Sequence, residues 1–79
     1  MALYRYPARF IEQRPPGAYL VHFPDFPEAR TFGRSLDHAR EMAADCLREA
    51  IRSRGIDGED LPPEREIVEG EEVVQVDVP

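Results

Sequence analysis

The chain has 79 residues, with 10 Lys+Arg against 16 Asp+Glu and a formal net charge of −6. Hydrophobic residues make up 42% and charged residues 33%, a folding composition with room for a single domain over residues 1–79. One cysteine, Cys46, excludes a disulfide scaffold and a four-cysteine zinc site; no apolar run is long enough to span a membrane and no secretory signal is read, so a cytoplasmic location is expected.

Residues 3–13 alternate, with Tyr4, Tyr6, Ala8 and Phe10 on one side and Arg5, Pro7 and Arg9 on the other. That period predicts a first strand, with the donor side of Pro7 free or bulged. Pro15-Pro16-Gly17 is turn chemistry, and Ala18–Phe23 returns as a second strand with Tyr19, Val21 and Phe23 on one face. Pro24-Asp25-Phe26-Pro27 reads as a bend, and Arg30-Thr31-Phe32 as a short third strand ended by Gly33. A helix follows: Ser35 is a good N-cap, Asp37 sits in the first turn, and Gly55 stands where a terminating glycine belongs. At 100° per residue Leu36, Ala39, Met42, Ala43, Cys46, Leu47, Ala50 and Ile51 form one apolar arc, with Arg40 intruding near its edge. Residues 56–63 read as loop, and Val73–Val78 alternates again as a fourth strand.

The predicted fold is α+β with order β-β-β-α-β. An antiparallel three-stranded meander carries the helix on one face, and a right-handed crossover returns the fourth strand beside the first, in parallel, for a spatial order 3-2-1-4. A core this small gains from association, so a dimer or tetramer is expected, through a sheet edge or the open sheet face.

The acidity is uneven. Residues 1–56 carry a balance of +2, whereas residues 57–79 hold nine acids against Arg65 alone, a balance of −8. Every basic residue is Arg. Such an end attracts a basic partner and opposes nucleic acid, although Arg5, Arg9 and Arg14 with Tyr4 and Tyr6 make a basic aromatic stripe. Pairing of those arginines with the acidic segment is the plainer account.

Motifs for chemistry are sparse. Glu12, Glu41 and Asp77 are the best substitutes for metal-binding acids, but Glu12 is at a strand end and Glu41 on the polar helix face. His22 and His38 have no third ligand, and Cys46 lies on the core arc with no cation to activate it. No catalytic residue, metal or cofactor is expected, and the chain is not expected to be an enzyme.

Three stretches together resemble a known family. Tyr6-Pro7-Ala8, then Gly17-Ala18-Tyr19-Leu20-Val21-His22-Phe23-Pro24-Asp25-Phe26-Pro27, then Thr31-Phe32-Gly33-Arg34-Ser35-Leu36-Asp37-His38-Ala39 are similar to the HicB antitoxins, with Ala43 and Leu47 continuing the helix pattern. The match covers about residues 4–52 in order and spacing. Glu28-Ala29 stands where the family usually has Gly-Cys, and Ser35 replaces Thr. The resemblance implies a partial RNase H-like fold, oligomerisation, and masking of a HicA-type toxin, a small ribonuclease, by stoichiometric contact. Longer members add a DNA-binding segment that residues 57–79 have no room for, so direct DNA binding is not implied.

The expected partner contacts are Asp25 and Phe26 at the bend and Glu64, Glu66, Glu69, Glu71 and Glu72 in the acidic segment, although the plainer account of the bend is a corner with Phe26 tucked into the core and Asp25 capping it. The competing expectation is a solitary homo-oligomeric regulatory or structural module without a toxin.

Overall fold

A computed structural model describes residues 2–14 and 16–79; the expected turn residue Pro15 lies outside them. The elements are β1 (Ala2–Glu12), β2 (Tyr19–Phe23), β3 (Phe26–Gly33), α1 (Leu36–Asp57) and β4 (Glu72–Val78). They build a four-stranded sheet of order β3-β2-β1-β4 with α1 on one face, an α+β fold in the spatial order expected.

The alternation in β1 separates the two faces. Tyr6 and Ala8 turn towards α1, where Val21, Phe23, Phe26, Val74 and Val76 join Ala39, Ala43, Leu47, Ala50 and Ile51 in one core. Registered pairs share a face, so Ile11, Leu20 and Phe32 line up on the opposite, open face, and so do Arg9, His22 and Arg30. Ile11 and Phe32 remain about half exposed there, at 46% and 49%.

The helix starts as expected. The Ser35 hydroxyl accepts from His38 N–H at 3.1 Å, and His38 Nδ1 accepts from Arg34 N–H at 3.0 Å, so the side chain and backbone of this turn cap each other. His38 is therefore part of the cap, the structural role that its place in the helix allows. The terminus lies later than expected. Gly55 is helical, and Gly58 takes the left-handed conformation (φ 73°) while Glu59 N–H reaches Arg54 C=O and Gly58 N–H reaches Gly55 C=O.

Two further expectations are corrected. The third strand spans Phe26–Gly33, not Arg30–Phe32 alone, because only Pro24 and Asp25 form the turn and Phe23 pairs with Phe26. Pro27 is tolerated because β3 is an edge strand, and a register shift at His22/Phe23 absorbs the irregularity.

The second correction concerns direction: β4 runs antiparallel to β1, with Ala8 opposite Glu72 and Ala2 opposite Val78. A parallel return would enter the sheet at the Ala2 end. Residues 58–71 instead pass around the β2–β3 turn as a strap and enter β4 beside the middle of β1. Pro62 lies near Tyr6 on the helix side, Arg65 near Asp25 at the turn, and Glu71 near Arg9 on the open side. Pro7, on the open face at the level of this crossing, is fully buried.

Candidate functional site

The strap is where the acidic residues gather, and an ion-pair cluster fixes its path. Arg65 donates to both Glu71 oxygens at 2.9 Å and to Asp25 Oδ1 at 3.2 Å. Arg9 approaches Glu71 at 3.7 Å, and Val68 N–H donates to Glu71 Oε1 at 2.9 Å. The Glu71 side chain is only 2% exposed, and these donors, Arg65 first, hold its carboxyl at about 2. The same acids push the Arg65 guanidinium upward. Gly70 adopts a left-handed φ of 88° beside Arg9, which closes the turn between Val68 and Glu71.

Tyr6 pins the other end of the strap, donating its hydroxyl to Pro62 C=O at 2.6 Å. Burial, reinforced by the nearby Glu64, raises the Tyr6 phenol, so it stays a donor.

The structure divides the expected contact residues. Phe26 is 0% exposed: its ring meets Tyr6 edge-on at 4.8 Å and lies under the Arg54 guanidinium, 4.6 Å from the centroid. Arg54 is itself held by Glu28 at 2.8 and 2.9 Å. Phe26 has no surface to offer a partner; it is core. Asp25 and Glu71 are spent on Arg65, although Asp25 Oδ2 has no hydrogen-bond partner among the described residues. Glu72 takes two bonds from Arg40, at 3.1 and 2.8 Å, which lowers its carboxyl and ties α1 to β4. That pair explains why Arg40 intrudes on the apolar arc. Glu64, Glu66 and Glu69 are exposed and enter no ion pair among the described residues. Beside them Ile67 and Val68 are 44% and 55% exposed, an apolar pair that reasoning from charge alone missed.

The candidate metal acids are not brought together; among the described residues no three His, Cys, Asp or Glu side chains converge on a cation-sized space. Cys46 is half-buried with its thiol 3.7 Å from Arg30 C=O, and burial first, then Glu28, raises the thiol away from the reactive range. No described helix is long and apolar enough to cross a membrane. Of the arginine stripe, Arg5 donates to Gln75 at 2.8 Å and Arg9 turns to Glu71.

The family of HicB-like antitoxins of bacterial toxin–antitoxin systems matches residues 5–79. The chain belongs to the HicB-like antitoxin family. This HicB-like chain is 43% identical over 58 residues to Antitoxin HicB 1 of Photorhabdus laumondii subsp. laumondii, a match that covers 73% of the chain and 37% of that relative. The matched stretch is thus little more than a third of the curated relative's length. The N-terminal domain of the Burkholderia pseudomallei antitoxin HicB superposes with a TM-score of 0.73 at 19% identity, covering 96% of this chain and 99% of that one. At that identity the likeness speaks for the fold. The HicB-like fold therefore extends through the strap and β4, beyond the stretch 4–52 that carries the recognisable motifs.

Proposed function

We propose that the chain is the antitoxin of a type II toxin–antitoxin pair, acting in the cytoplasm by binding and masking a HicA-type ribonuclease toxin, without catalysis. The observation that carries this reading, given the family, is the division of the strap's carboxylates. Asp25, Glu71 and Glu72 are consumed in holding the strap, while Glu64, Glu66 and Glu69 stay free on a segment pinned at both ends. A preformed acidic rim around Ile67 and Val68 suits a basic RNA-binding surface: the charges speed encounter and the apolar pair contributes burial once water is displaced.

The test is co-expression with the small basic protein encoded next to this chain. Rescue of growth and recovery of a stoichiometric complex support the reading; continued toxicity with no complex overturns it. Converting Glu64, Glu66 and Glu69 together to Gln should slow capture by about tenfold or more at low salt and flatten its salt dependence. Unchanged capture would remove these three residues from the interface. The place of β4 as an outer strand of the sheet favours the second reading, a homo-oligomeric module, and absence of any adjacent toxin gene would leave that one standing.

A further inference from the structure

The charges left outside ion pairs are segregated on this fold. Arg40, Arg48, Arg52 and Arg54 on α1 each pair with an acid, and Arg65 on the strap pairs with two. Arg30, on the open face of β3, and Arg34, just beyond that strand, are exposed and enter no ion pair among the described residues. The register extends this cationic end across the sheet. Arg9, His22 and Arg30 form one row on the open face, and Ile11, Leu20 and Phe32 form the next row along the same strands. Each row crosses three strands, a width of about 10 Å, and the two rows lie about 7 Å apart. Neither row contains an acid. Glu12 alternates to the other face and accepts from Gly17 N–H at 3.2 Å.

We infer that these two rows are a platform for a short stretch of single-stranded nucleic acid. Bases lie on the apolar row, stacked on Phe32, and phosphates meet Arg9, Arg30 and Arg34. The Phe32 ring is half exposed, and the Arg9 side chain keeps 42% of its surface in spite of its approach to Glu71. Phenyl, imidazole and guanidinium groups all offer flat faces, and every base has a π-face to set on them. The open face of a four-stranded antiparallel sheet with helix behind it is an architecture on which two or three bases stack. An acidic peptide fits less well. It adds to a sheet through edge hydrogen bonds, whereas β1 and β2 are inner strands paired on both sides. The net charge of −6 does not govern this end of the molecule. The unpaired acids Glu64, Glu66 and Glu69 stand on the strap, which meets the open face at Pro7 and Arg9, so an incoming strand lies along the rows and away from it. The proposal rests on the sheet face and does not depend on the toxin reading.

Fluorescence anisotropy of the full chain with labelled oligouridine of about ten nucleotides, at about 50 mM salt, should give saturable binding with a Kd of about 1–100 μM. Arg30→Gln should weaken it by about threefold or more and reduce the slope of log affinity against log salt by about 0.7, the share of one phosphate contact on a single strand. Phe32→Ala should weaken it by about fivefold or more with the salt slope unchanged, and Phe32→Tyr should restore it. Arg48→Gln, on the helix side, should change neither quantity. Circular dichroism of each variant checks that it is folded. A matched oligodeoxythymidine separates the two sources of such a strand: equal binding supports a site that stacks bases alone, and preference for the RNA supports one that also meets the 2′-hydroxyl. No saturation below about 1 mM overturns the proposal. So does equal binding of a poly-glutamate peptide of the same length, which would make the face a reader of acidic protein segments, and so does an affinity indifferent to both Arg30→Gln and Phe32→Ala.

Discussion

Gly33 sits where β3 ends and passes beneath the first turn of α1, and its missing side chain is a packing requirement. A Cβ added there lies 2.3 Å from Ala39 Cα, 2.3 Å from Ala39 N and 2.6 Å from Ala39 Cβ. Carbon atoms rest about 3.5–4.0 Å apart, so Gly33→Ala forces helix and strand to separate by more than about 1 Å. The obstacle is backbone, so no rotamer relieves it. Overpacking of this kind costs about 1–3 kcal/mol. The displaced turn also carries the Ser35–His38 cap, whose loss adds about 1 kcal/mol. The sum, about 2–4 kcal/mol, compares with a total stability of about 4–12 kcal/mol for a chain of this length. Urea unfolding followed by far-UV circular dichroism should show a lower midpoint with an unchanged slope, and Tm should fall by roughly 10–30 °C. Gly55→Ala is the control, because a Cβ there meets nothing within 4 Å and the position is helical. It should stabilise by about 0.5–1 kcal/mol. If Gly33→Ala melts with or above the wild type, the close approach of β3 to α1 is wrong.

Three further outcomes are expected. Glu71 is held at about 2 against an ordinary 4.5, so its pairing contributes fully above pH 4.5 and is lost as the pH falls towards 2; acid titration of stability should show this slope, and Glu71→Gln should flatten it. Tyr6→Phe removes the bond to Pro62 and should cost about 1 kcal/mol, with hydrogen exchange rising first in residues 61–71. Phe26→Ala empties a fully buried site against Tyr6 and should cost about 3–5 kcal/mol by urea titration, whereas Phe32→Ala, half exposed on the open face, should shift the midpoint little.

Much of the architecture was legible in the sequence because it rests on local signals. The apolar arc of α1, its Ser35 cap and the alternation of β1, β2 and β4 each report a periodicity the backbone imposes. The order of the first three strands followed from short connections, and the place of β4 beside β1 from the crossover rule. The direction of β4 did not, because the crossover rule assumes a return from the helix straight into the sheet, and nothing local marks residues 58–71 as rounding the β2–β3 turn first. The information was in pairs far apart, Arg65 with Asp25 and Glu71 with Arg9, which charge counting blurs into one acidic tail. Phe26 stayed open for a similar reason. Between Pro24 and Pro27 it reads as a core corner or as a contact aromatic, and it is Tyr6 and Arg54, brought from other elements, that place it in the core. The two glycines near the end of the helix differ by three residues, and choosing between them requires the capping hydrogen bonds.

The pairing of Ala2–Ala8 with Glu72–Val78 joins strands about 70 residues apart in the sequence, and this sets an order of events during synthesis. The first half of β1 has no strand neighbour until β4 has been made about 70 residues later, roughly 3–14 s at elongation rates of about 5–20 residues per second. The hairpin and helix can assemble in that interval from contacts close in sequence, while Tyr6 waits for Pro62 and Val74. A chain released at Gly70 would therefore hold its helix with its sheet unfinished, Glu64, Glu66 and Glu69 already made and the Glu71 lock still missing.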